Sequence, residues 1–116
     1  MTTITIQKML NLYDVKLEGH ADYNQGNDIV CAGISALTYT LAQKANDMEA
    51  EEKGHVARMD LIPGTARITF VPTNKAEEEW KIALSTILEG YNLIAASYPD
   101  NLKVCNWVGE IKKQRC

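Results

Sequence analysis

Three residues near the start of the chain have the types and spacing that nucleophilic catalysis needs: His20, Asp28 and Cys31. Cys31 lies in what reads as the first turn of a helix opened by Asp28. Unpaired N–H groups and the helix dipole favour an anion there. Thiolate, not thiol, is the nucleophile of cysteine chemistry. His20 stands eleven residues earlier, at the end of a strand pattern. A strand end and the helix start that follows can sit side by side, so an imidazole at 20 can reach a thiol at 31. Asp28 either orients that imidazole or caps the helix, and the cap is the primary reading. The backbone N–H groups of Cys31 and Ala32 are candidate oxyanion donors. Ser35, one turn after Cys31, reads first as a hydroxyl bonded to its own helix backbone. Support for the thiol is the sharper reading of Ser35. Nucleophile, base and oxyanion pocket together describe acyl transfer. On composition alone, a cysteine in a helix is more often a small core residue. A metal site at His20 and Cys31 lacks further ligands at a suggestive spacing, and no cofactor is implied.

The elements that position these residues follow from periodicity. Ile4 and Ile6 alternate with Thr3 and Thr5; Tyr13, Val15 and Leu17 alternate with Asp14, Lys16 and Glu18. Both read as strands, the second ended by Gly19. Ala21 to Asn27 is a polar loop containing Gly26. It joins base to nucleophile and is expected to be a mobile lid built on Asp22, Tyr23 and Gly26, with Tyr23 placed to meet substrate side chains. The free-state distance between His20 and Cys31 is then expected to exceed a hydrogen bond. A helix is predicted from Asp28 to about Glu51, with a stripe of Val30, Ile34, Leu37, Leu41, Ala45 and Met48. Gly33 weakens its start by up to ~1 kcal/mol relative to alanine. Val56 to Leu61 and Thr65 to Val71 read as strands joined by the turn Ile62-Pro63-Gly64. Thr73 or Asn74 can cap a second helix, striped by Trp80, Leu84, Ile87, Tyr91, Ile94 and Tyr98 and ended by Pro99. Leu102 to Val108 adds a possible last strand, and Ile111 to Cys116 is a basic tail expected to fray. The order β-β-α-β-β-α, with a possible final β, predicts an α+β fold. A small, mostly antiparallel sheet of four to five strands carries two amphipathic helices.

With 116 residues and no linker or repeat, the chain reads as one domain, 1–116. Its net charge of -3 argues against nucleic acid as a partner. No apolar run suggests a membrane span and no leader opens the chain, so a cytoplasmic protein is expected. Cys31, Cys105 and Cys116 are widely spaced, and reduced thiols are the expectation, the last two inert. The acidic run Asp47, Glu49, Glu51 and Glu52 reads as a solvated helix end.

Gly19-His20-Ala21, then Gly26-Asn27-Asp28-Ile29-Val30-Cys31-Ala32, then Ser35-Ala36-Leu37 resemble the signature of the bacterial ribosomal-processing cysteine proteases (Prp, YsxB-like). Leu88-Glu89-Gly90, Ile94-Ala95 and Tyr98-Pro99-Asp100 are similar to that family's second helix and its exit. The likeness runs from about Ile4 to Val104; the tail from Cys105 to Cys116 departs from it. The resemblance implies a small sheet with two helices, assembled as a homodimer in the bacterial cytoplasm. It implies a thiol endopeptidase acting in ribosome biogenesis. Its substrate would be a large-subunit ribosomal protein made with a short N-terminal extension. By the same resemblance Cys31 is the nucleophile and His20 the general base. Two alternatives stand beside it: a phage-type relative that processes capsid or scaffold proteins, and a non-enzymatic dimeric protein-binding module in which Cys31 is merely buried.

Overall fold

The alternating residues of the first two segments form strands β1 (Thr2–Met9) and β2 (Leu12–Glu18), paired antiparallel. The computed structural model describes residues 1–24, 26 and 28–109; Asn27 of the loop motif and the basic end Ile111–Cys116 lie outside the described residues. Helix α1 (Ile29–Ala50) follows, then the hairpin β3 (Gly54–Ile62) and β4 (Thr65–Pro72), helix α2 (Glu77–Ser97) and strand β5 (Leu102–Asn106). The five strands run in the order β3-β4-β2-β1-β5. Three of the pairings are antiparallel, and β5 joins β1 in parallel, so the sheet is mixed. β5 stops two residues short of the expected Val108, whose N–H is taken by the Asn106 side chain at 3.0 Å.

Both helices cover one sheet face, where Ile4, Ile6, Val15, Ile68 and Phe70 are fully buried. Trp80 of α2 lies against Phe70 with ring centroids 4.4 Å apart. At the α2 N-terminus, Thr73 caps a short 3-10 turn (Asn74–Ala76) rather than α2 itself. Glu77 then accepts the buried Tyr13 hydroxyl at 2.7 Å and pairs with Lys8 at 3.2 Å. Burial first, then the Glu77 carboxylate, pushes the Tyr13 phenol up to about 12, so it stays a donor.

The α1 stripe differs at one position: Leu37 is only partly buried, and Thr38 takes the inner place. Its hydroxyl bonds Ile34 O at 2.7 Å and shares a hydrogen bond with Tyr91 of α2, also 2.7 Å, so burial leaves these two hydroxyls satisfied. Gly33 brings the helices close, because a Cβ there would stand 3.2 Å from Ile94 Cδ1. The helix-propensity loss at Gly33 is offset by this approach, which roots α1 just behind Cys31.

Cys105, fully buried in β5, is disulfide-bonded, so the expectation of a reduced, inert thiol does not hold there. Among the described residues Cys31 is the free cysteine.

Trp80 offers a check on the core. Its indole nitrogen has no hydrogen-bond partner among the described residues. Trp80→Ala should cost roughly 3–5 kcal/mol by denaturant unfolding. Trp80→Phe should cost on the order of 1 kcal/mol, since it also removes an unsatisfied N–H.

Candidate active site

Sheet register delivers the histidine. The β2–β4 ladder runs to the pair Glu18 and Thr65, so the next residue, Gly19, faces the β3–β4 turn. Gly19 donates its N–H to Gly64 O at 2.9 Å, and His20 emerges exposed beside that turn.

A helix cap delivers the cysteine. Asp28 Oδ1 accepts the N–H groups of Val30 at 2.9 Å and Cys31 at 3.0 Å, which fixes the first turn of α1. Its Oδ2 accepts the N–H groups of Tyr23 at 2.9 Å and Asn24 at 3.3 Å. These amides, Cys31's first, hold the Asp28 carboxyl below the usual carboxylate range. Asp28 therefore acts as cap and loop clamp, and its oxygens are committed to the backbone rather than to His20. The same geometry corrects the expected oxyanion donors. Cys31 N–H is spent on Asp28 Oδ1, and Ala32 N–H on Asp28 O at 3.0 Å.

One backbone donor does reach the sulfur: Ala21 N–H points to Cys31 Sγ at 3.3 Å. Ala21 is buried, and its carbonyl is held by Asn101 Nδ2 at 2.8 Å. Neither was legible as a site residue: the Ala21 donor is main chain, and Asn101 acts through its side-chain amide from eighty positions away.

The expected lid is tied down along its first half. Asp22 Oδ2 lies 2.8 Å from the Met1 ammonium, and the Tyr23 ring meets Tyr98 edge-on at 5.1 Å. Gly26, with open space around it, is the described position without such a tie.

His20 and Cys31 line one open cleft of ≈ 250 Å³. Ile34, Ser35, Thr38 and Tyr39 of α1 form one wall, and Leu61 to Ala66 of the hairpin the other. No hydrogen bond joins the two among the described residues; the contact Sγ makes is with Ala21 N–H. Ser35 is exposed in this cleft and makes no hydrogen bond among the described residues; Thr38 and Thr40 are the hydroxyls that bond back to the helix. His55 lies elsewhere, on β3, paired with Glu49 at 3.1 Å. Among the described residues no group of three or more His, Cys, Asp or Glu could hold a metal ion. Nor is any described helix long and apolar enough to cross a membrane.

A family model described as cysteine protease Prp matches residues 1–103. Relatives named ribosomal processing cysteine protease Prp, from two Staphylococcus aureus strains, are 30% identical over 102 residues, 87% of this chain and 92% of theirs. The fold is similar to that of S. aureus Prp carrying a covalently linked product peptide: TM-score 0.68 at 24% identity, over 91% of this chain and 99% of that one. A Streptococcus mutans structure is similar at TM-score 0.63 and 27% identity, over 91% and 95% of the two chains.

The double duty of Asp28 can be separated by substitution. Asp28→Asn keeps an oxygen for Val30 and Cys31 but cannot accept from Tyr23 and Asn24, whereas Asp28→Ala loses both sets. Melting temperature should fall in the order wild type, Asn, Ala at pH 7. A carboxyl lowered in the folded state contributes stability above its unfolded value and loses it as pH falls through the folded one. The wild-type advantage over Asp28→Asn should therefore begin to shrink as pH falls below about 4 and vanish only below the lowered folded value. An advantage that persists in acid would show that the carboxylate charge is not what the loop amides bind.

Proposed function

The chain belongs to the cysteine protease Prp family, and from that premise we propose that it removes the N-terminal extension of a large-subunit ribosomal protein. The observation that carries the reading is the shared cleft: Cys31, with Ala21 N–H at its sulfur, faces the same open space as His20. In this reading His20 takes the thiol proton and Sγ attacks the peptide carbonyl. The carbonyl oxygen becomes an oxyanion. His20 then gives its proton to the leaving amine as the C–N bond breaks, leaving the extension as a thioester on Cys31. Water, deprotonated by His20, releases the extension as a carboxylic acid.

The cleft walls suit an extended peptide. Ile34 and Tyr39 on one side and Leu61, Ile62 and Pro63 on the other present apolar surface for its side chains. In this reading Ser35, which lines the cleft, touches substrate, and the loop containing Gly26 closes over it. The same reading has the enzyme work in the cytoplasm, where ribosomes are assembled, as a homodimer. Ile82 and Leu93, exposed on α2, are apolar surface that a second copy would cover.

The test is incubation with peptides spanning the N-terminal extensions of large-subunit ribosomal proteins, with phage capsid and scaffold segments alongside, read by mass spectrometry. Cleavage of a ribosomal extension is expected, and cleavage of phage segments alone would redirect the assignment. Cys31→Ala should abolish cleavage, and Cys31→Ser should be nearly as inactive. His20→Ala should lower turnover by roughly two to four orders of magnitude, the usual scale for losing a general acid–base group, and His55→Ala should change it little. Wild-type turnover in Cys31→Ala, or reversed histidine results, would sink the assignment.

A further inference from the structure

Resting on the reading of His20 as base, we propose that Gly64 is a positioning residue for it. The empty side-chain place at Gly64 seats the His20 imidazole, and the β3–β4 turn thereby sets where the base stands relative to the thiol. A Cβ at Gly64 would lie 2.7 Å from His20 Nε2, 3.0 Å from Cε1 and 3.5 Å from Cδ2. At the first of these distances something must shift, and the exposed His20 ring, at the end of its side chain, is the group that would move. The ring turns its Nε2 and Cε1 atoms toward the turn. His20 makes no hydrogen bond among the described residues, and in this proposal the Gly64 face is what sets the ring's position.

A second observation ties the same two places together through the main chain. Gly19, immediately before His20, donates its N–H to Gly64 O at 2.9 Å. Gly64 thus holds both the backbone that leads into the base and the ring itself.

A glycine after proline also has a plain role, which is to give the turn its positive φ, here +80°. The two roles separate by substitution. Asparagine tolerates that left-handed backbone better than other side chains, but it puts a Cβ where the ring sits.

The experiment is a double-mutant cycle of wild type, Gly64→Asn, His20→Ala and the double variant. The probe is iodoacetamide at pH 7, read as the alkylation rate of Cys31 by peptide mapping. The His20 ring is followed separately by its Cε1–H NMR signal. Gly64→Asn should slow Cys31 alkylation about tenfold or more when His20 is present, a partial loss of a positioned proton acceptor. It should change the rate less than about twofold in the His20→Ala background, since nothing remains to be positioned. The His20 signal should move in Gly64→Asn. Equal slowing in both backgrounds, or no slowing in either, overturns the proposal, as does an unmoved His20 signal. His20→Ala alkylated at the wild-type rate overturns His20 as base, while the ring signal still decides whether the seat exists. Gly64→Ala, with a smaller side chain, serves the same cycle should the asparagine variant not fold.

Discussion

The site depends on one carboxylate. Asp28 binds four backbone N–H groups, two from the first turn of α1 and two from the loop that leads to it. Without those acceptors the helix start would leave donors unmet, and the loop would have no fixed path. With them, the backbone of Cys31 is set and the chain is folded back so that Ala21 N–H meets the sulfur. Asn101, reaching across from the segment before β5, holds that alanine from its other side. The cysteine is thus placed by contacts from three separate stretches of chain, none of which is its own side-chain environment alone.

The histidine is placed by different physics. It belongs to the sheet, and ladder register decides where it emerges. The cleft is the gap between these two structures, a helix start on one side and a hairpin turn on the other. A division of this kind leaves the His20 imidazole and the Cys31 sulfur unbonded to each other among the described residues. Catalytic hydrogen bonds often tighten only around substrate, so their absence here is compatible with the chemistry. A peptide laid in the cleft would contact both walls at once.

Much of this was legible from residue spacing. Alternation located β1 and β2, three-and-four periodicity located both helices, and the Pro-Gly pair located the hairpin turn. Asp28 was readable as a cap, because a carboxylate before an apolar stripe has one common use. The Cys31 and Ala32 N–H groups were misread as free donors, since their capture depends on which way one side chain turns. The free Ser35 hydroxyl, the inner place of Thr38 and the disulfide at Cys105 escaped for a like reason: each depends on distant neighbours or on covalent pairing. The parallel seating of β5 beside β1, Ala21 at the sulfur and Gly64 beneath the imidazole are long-range meetings of backbone, and backbone has no sequence signature. Residue types and spacing, and then the family resemblance, singled out Cys31 and His20 as candidates; the three-dimensional contacts show what surrounds them.

The most direct measurement asks whether Cys31 carries the substrate. Wild-type protein is mixed with the extension peptide it cleaves and quenched in acid within the first turnover. Intact mass and peptide mapping then follow. The expected result is protein heavier by the mass of the released extension less one water, attached to Cys31 as a thioester and absent from Cys31→Ala. Complete cleavage in the first turnover with no such adduct formed, or with the fragment on another residue, would contradict Cys31 as the nucleophile.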